Sequence, residues 1–138
     1  MRFDHVGVLV GDLETAKSFA INVLGLGEPV AEFSAPEHGG LAGAFFDLEQ
    51  GRLELFVLDS PHPPDRLPPG VPARIDHVAM KVDDLDAERD RLAAEGVTFT
   101  GPDTPAEIST PVELRGSRHL WTAPATSGGY MLQLIESP

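Results

Sequence analysis

Phe3-Asp4-His5-Val6-Gly7-Val8-Leu9-Val10-Gly11-Asp12-Leu13 returns, altered, as Ile75-Asp76-His77-Val78-Ala79-Met80-Lys81-Val82-Asp83-Asp84-Leu85. Setting His5 on His77 gives an offset of 77 − 5 = 72 residues, and at that offset Asp4/Asp76, Val6/Val78, Val10/Val82, Asp12/Asp84 and Leu13/Leu85 also coincide. Self-similarity on this scale marks two copies of one supersecondary unit. Each copy opens with a Val-rich stretch that reads as a strand. An Asp follows, suited to capping a helix, and then apolar residues at helical spacing.

Working outward, the strand at 3–10 leads into an amphipathic helix over about 12–24, ended by Gly25 and Gly27. Strands are expected at 29–34, 41–49 and 52–58, with a turn at Pro36-Glu37-His38-Gly39-Gly40 and a tight turn at Gln50-Gly51. Residues 59–72 hold six prolines, which excludes a helix or a central strand there. The second copy then gives a strand at 75–82, a helix to Glu95-Gly96, a short strand at 97–100, a surface loop over 101–116, and strands at 117–123 and 130–135. The expected organisation is one domain, 1–138, with a first βαβββ module at 1–58, a Pro-rich linker at 59–73 and a second βαβββ module at 74–138. Its class is α+β, with helices packed outside curved mixed sheets.

Composition narrows the function. The chain of 138 residues carries a net charge of −12 with 10 Lys and Arg, against a nucleic-acid partner or an anionic membrane surface. No apolar run approaches the roughly 20 residues that span a bilayer. The first residues enter a strand at once, without a signal-peptide pattern. There are no cysteines, so disulfides and thiolate metal sites are excluded. A cytoplasmic protein with a small-molecule substrate is the expectation.

Side chains alternate faces along a strand, so His5 shares a face with Gly7 and Leu9, and His77 with Ala79 and Lys81. The closing strands also correspond. Leu53-Glu54-Leu55-Phe56 aligns with Leu132-Gln133-Leu134-Ile135, setting Glu54 against Gln133. Each half therefore interrupts apolar strands with one imidazole and one oxygen donor. Imidazole with hard oxygen donors suits a divalent first-row metal that keeps open positions for water or substrate. The competing explanation is a hydrogen-bonded strand His and a solvent-facing Glu in each case; the repetition strengthens the metal reading, and on the residues alone both stay open. His38 and His62 read as solvent-facing. His119 alternates with Trp121, and their shared face is a candidate cavity wall. Trp121, Phe46 and Tyr130 read as core.

The doubled βαβββ pattern with D-H-V opening each copy resembles the vicinal oxygen chelate (glyoxalase / bleomycin resistance / dioxygenase) superfamily over the whole chain. Within it, D-H-V-G-V-L-V-G-D-L-E at 4–14, V-L-G-L at 23–26, P-E-H-G at 36–39, D-H-V-A at 76–79 and S-G-G-Y-M-L-Q-L at 127–134 are most similar to methylmalonyl-CoA epimerases. The resemblance implies a partly open barrel and a homodimer. It also implies one divalent ion (Co, Ni, Zn, Mn, Mg or Fe) on His5, Glu54, His77 and Gln133, and a metal-dependent isomerase acting on an acyl-CoA or thiol adduct through a stabilised enolate. The chain departs from that pattern at Gln133, where the family carries a Glu that is both ligand and base. This leaves Glu54 as the candidate base, with Glu37, His38, Glu49 and His119 as candidates for a second. The alternatives are a glyoxalase I-like lyase, a metal-free small-molecule- or antibiotic-binding protein of the bleomycin-resistance type, and an iron-dependent extradiol dioxygenase.

Overall fold

The structure, a computed structural model, describes residues 1–59 and 66–138. Part of the Pro-rich stretch, with His62, lies outside the described residues. The chain is α+β and divides into two compact units, His5–Asp76, and His77–Pro138 together with Met1–Asp4. The cuts fall inside the two repeated strands, β1 (Arg2–Val10) and β5 (Ala73–Lys81).

In the first unit β1 is followed by helix α1 (Leu13–Ser18), then β2 (Ala31–Ala35), β3 (Leu41–Leu48) and β4 (Gly51–Val57). β1 and β4 pair in parallel, while β4 with β3 and β3 with β2 are antiparallel, giving an open mixed sheet in the order β2-β3-β4-β1. One face of it carries Val8, Val10, Ala44, Phe46, Leu53, Leu55 and Val57 against Leu13, Ala16, Ala20 and Ile21 of the helical segment. Phe46 is thus a core residue, as expected. Asp12 caps α1 by accepting from the Thr15 N–H at 3.1 Å, and these hydrogen bonds hold its carboxyl below the usual range. The helix does not stay α-helical to its end. Phe19–Val23 forms a π turn, closed by Leu24 N–H donating to Phe19 O, and Gly25 leaves it with φ 72°.

The second unit repeats the plan with additions. After β5 come α2 (Leu85–Ala94), β6 (Phe99–Thr100), β7 (Glu107–Ile108), β8 (Val112–Leu114), β9 (Ser117–Thr122) and β10 (Met131–Glu136). β10 pairs in parallel with β5 and antiparallel with β9, as β4 does with β1 and β3. Asp84 caps α2 through the Ala87 N–H at 2.9 Å, and Glu136 accepts from the Leu85 N–H at 2.8 Å. Two carboxylates thereby meet the positive end of the helix. Val82, Leu85, Phe99, Leu120 and Leu134 form the core beneath α2. The acidic run at 83–90 is a solvated face, tied down by Arg89, Arg91 and Arg118. The Arg118 guanidinium lies 2.7 Å from Asp86 and is the main cause of that carboxyl's lowered pKa.

The stretch 101–116, expected as a loop, contributes β7 and β8. β8 and β9 form a hairpin with Leu114 opposite Ser117, leaving Arg115 and Gly116 as a two-residue turn with φ 50° and 76°. Positive φ at both positions matches the primed turn that suits strand twist, and Arg is an unusual residue for the first of them.

Behind the Asp-His motif sits a buried ion pair. Arg66 grips Asp76 with two bonds, Nε–Oδ1 at 2.6 Å and Nη2–Oδ2 at 2.8 Å, and the side chains are 7% and 2% exposed. Removing one partner strands a charge in a poorly solvated place, which costs about 3–5 kcal/mol. Arg66→Met should lower unfolding stability by that amount in a urea titration, and Arg66→Met with Asp76→Leu should recover most of it. A single variant as stable as the parent would show that the pair is energetically neutral.

Candidate functional site

The sheet face opposite each helix carries the polar residues. In the first unit the β1/β4 register sets His5 opposite Arg52 and Gly7 opposite Glu54. Partners in a parallel pair point to the same side, so His5, Gly7 and Glu54 share one face. Gly7 sets no side chain beside the Glu54 carboxylate. His5 Nε2 lies 3.6 Å from Glu54 Oε1, and the two are 1% and 6% exposed. Phe45, opposite Glu54 on β3, meets the His5 ring edge-on at 5.1 Å, and the Arg52 guanidinium lies over the Phe45 ring at 4.6 Å. Phe33 packs against Phe45 at 5.5 Å. An apolar aromatic floor therefore surrounds the imidazole–carboxylate pair. Arg52 adds a positive charge on this face of a strongly acidic chain.

The second unit repeats the geometry in its own register. On β5/β10, Met131 lies opposite His77 and Gln133 opposite Ala79, so Gln133 stands to His77 as Glu54 stands to His5. Ala79 is the small residue in this copy. His77 and Gln133 are buried. The Gln133 amide meets His119 on β9, Nε2 to Nδ1, at 2.9 Å, and Trp121 lies directly opposite Gln133 while stacking on the His119 ring at 5.7 Å. Gln133 Oε1 is buried and has no hydrogen-bond partner among the described residues.

The four residues singled out by the repeat thus lie at matching registers on the helix-free faces. The structure pairs His5 with Glu54 and gives Gln133 a partner that the repeat does not point to, His119. Trp121 is buried, as expected of a core residue, and shares the face of His119 as their alternation predicts. Tyr130, also expected as core, is exposed. Glu37 and Glu49 are exposed and His38 is half-buried; of the candidate second bases only His119 lies on this face.

Each unit has an open mixed arrangement of strands with a helix on one face and an imidazole and an oxygen donor on the other; the first unit is βαβββ and the second adds short strands to that plan, which makes the protein α+β. The sequence profile of the Glyoxalase/Bleomycin resistance protein/Dioxygenase superfamily matches residues 2–134, and the chain belongs to that superfamily. The chain is similar to the mitochondrial methylmalonyl-CoA epimerase of Bos taurus, with 30% identity over 140 residues spanning 99% of this chain and 74% of that protein. Among solved structures, methylmalonyl-CoA epimerase from Mycobacterium tuberculosis superposes with a TM-score of 0.80 at 25% identity, covering 99% of this chain and 88% of that one. A Streptomyces coelicolor methylmalonyl-CoA epimerase variant in complex with 2-nitronate-propionyl-CoA shares the fold, with a TM-score of 0.75 at 22% identity over 99% of this chain and 97% of that one. No helix among the described residues is long and apolar enough to cross a membrane.

Proposed function

We propose that this chain is a metal-dependent epimerase of the methylmalonyl-CoA type, acting in the cytoplasm as a homodimer, in which His5, Glu54, His77 and Gln133 hold one divalent ion and Glu54 is the base. The donor set carries the reading. His5, Glu54 and His77 are buried side chains of metal-ligating type, and Gln133 offers a buried carbonyl oxygen without a hydrogen-bond partner among the described residues. Two imidazoles, a carboxylate and an amide oxygen fit a first-row divalent ion. An amide oxygen kept from water without a partner is otherwise costly. Similarity to methylmalonyl-CoA epimerases supplies the substrate class.

When bound, such an ion supplies Lewis acidity to a substrate carbonyl oxygen. The chain's own residues do the rest. Glu54 is the one carboxylate of the four and can accept an α-proton; Gln133 can ligate through its oxygen but cannot take a proton. Phe33, Phe45 and Trp121 give the site faces an apolar lining that limits water, which strengthens the electrostatics within.

The deciding experiment measures metal content of native protein and solvent-deuterium incorporation into methylmalonyl-CoA. Stoichiometric metal with deuterium at the α-carbon supports the proposal. Metal with turnover of a hemithioacetal and no exchange moves the assignment to a glyoxalase I-like lyase. Neither metal nor exchange leaves a binding protein of the bleomycin-resistance type. Sedimentation of the same preparation reads the dimer.

A further inference from the structure

An amide ligand raises a problem that a carboxylate does not. Either oxygen of a glutamate can face an ion, but a glutamine turned the wrong way presents an NH₂ group, which donates and cannot ligate. The chain must therefore fix the rotation of the Gln133 side chain about its last bond. We infer that His119 does this, as a positioning residue that makes Gln133 an oxygen ligand; the inference rests on the metal reading above.

Hydrogen-bond polarity decides the orientation. His119 Nε2 lies 3.2 Å from the Leu114 carbonyl oxygen, which can only accept, so Nε2 carries the proton. In the neutral ring Nδ1 is then an acceptor. Its partner at 2.9 Å must donate, and the donor is the Gln133 NH₂. The opposite amide rotation would set two acceptors, Gln133 Oε1 and His119 Nδ1, against each other in a buried place. Satisfying the NH₂ leaves Oε1 as the atom directed away from His119, and it is this buried oxygen that lacks a partner among the described residues.

The anchoring carbonyl belongs to the last residue of β8, and Leu114 is held opposite Ser117 by the Arg115-Gly116 turn. The short hairpin that begins within 101–116 thus carries the hydrogen-bond chain Leu114–His119–Gln133 that ends at the ligand. His119 is 2% exposed and Trp121 stacks on its ring, so the imidazole has little freedom to turn. Such outer partners fix ligand orientation, and their loss typically weakens metal binding roughly 10–100-fold.

Two substitutions separate orientation from packing. In His119→Gln, an amide NH₂ near the position of ring Nε2 keeps the bond to Leu114 but offers Gln133 no acceptor. In His119→Asn, an oxygen near the position of Nδ1 keeps the acceptor. Titration of the metal-stripped full chain with Ni²⁺ by calorimetry should show His119→Gln weakened about 10–100-fold and His119→Asn close to the parent. In a Gln133→Glu background His119→Gln should not weaken binding, since a carboxylate needs no such rotation. Equal losses in His119→Asn and His119→Gln, or no loss in His119→Gln, would overturn the inference.

The side-chain amide of Gln133 gives a readout that needs no metal. Its NH₂ resonances in the metal-free protein should be slowly exchanging and shifted by the hydrogen bond they donate, and should lose both features in His119→Gln but not in His119→Asn. If the parent takes up no Ni²⁺ while the amide shows this behaviour, the metal reading fails and the positioning of Gln133 stands. If the amide of the parent exchanges freely, the positioning itself is wrong.

Discussion

Glu54→Gln should stop deuterium incorporation at the α-carbon of methylmalonyl-CoA while leaving the fold intact. The exchange is nearly isosteric. It keeps the length and shape of the side chain and its place opposite Gly7. What it removes is the ability to accept and release a proton. A positioned general base contributes typically 10²–10⁴-fold, and kcat should fall by about that factor. Loss of an interaction that matters only in the transition state lowers kcat and kcat/KM together. That pattern separates base removal from weakened substrate binding, which would raise KM alone. Metal content should be measured alongside, because an amide is a poorer ligand than a carboxylate; a variant that retains the ion yet loses exchange isolates the proton-transfer role. Gln133→Glu is the complementary change. A second carboxylate at the equivalent register of the second unit restores the residue type that the epimerase resemblance leads one to expect there, so exchange should persist or rise. If Glu54→Gln keeps parental turnover with metal bound, the base lies elsewhere.

The repeated D-H-V makes most of this site legible in the sequence. The reason is physical: a strand's alternation fixes which residues share a face, and a repeat fixes which strands correspond. His5, Gly7 and Glu54, and His77, Ala79 and Gln133, follow from those two rules. The parallel pairings of β1 with β4 and β5 with β10 add what spacing cannot, that the oxygen donor stands opposite the small residue. Features that rest on non-local pairing are less legible. The segment 101–116 has Pro and Gly enough to read as loop, yet its two short strands exist because β6 and β9 offer edges to pair with. No local propensity announces a two-residue strand. The π turn at Phe19–Val23 is equally hidden, since apolar spacing distinguishes poorly between one helical turn and a slightly wider one. Alternation shows that His119 shares a face with Trp121, but its role in orienting Gln133 depends on a carbonyl five residues earlier, brought round by a turn with an unusual Arg.

His77→Ala and His5→Ala should each abolish the stabilisation that a divalent ion gives. Anything that binds only the folded state adds RT ln(1 + [L]/Kd), about 4 kcal/mol when the ligand stands at 1,000 times its Kd. The parent should therefore melt at a distinctly higher temperature with metal than after chelation. Removing an imidazole ligand should weaken binding by more than the roughly 10–100-fold expected for an outer partner, and the melting temperature should become nearly independent of metal. The two variants should behave alike, because the 72-residue offset between His5 and His77 places them at equivalent positions on equivalent strands. Without metal the cost of either change is a different quantity. Each buried ring leaves a cavity when truncated, so the chelated variants report packing alone, and the difference between the two conditions isolates ligation. His38→Ala provides the control: His38 lies in the Pro36–Gly40 turn, half-buried and outside both repeated strands, and should keep the full metal-dependent shift. If His77→Ala retains that shift while His5→Ala loses it, the ion is held by the first unit alone and the equivalence of the two copies ends at their fold.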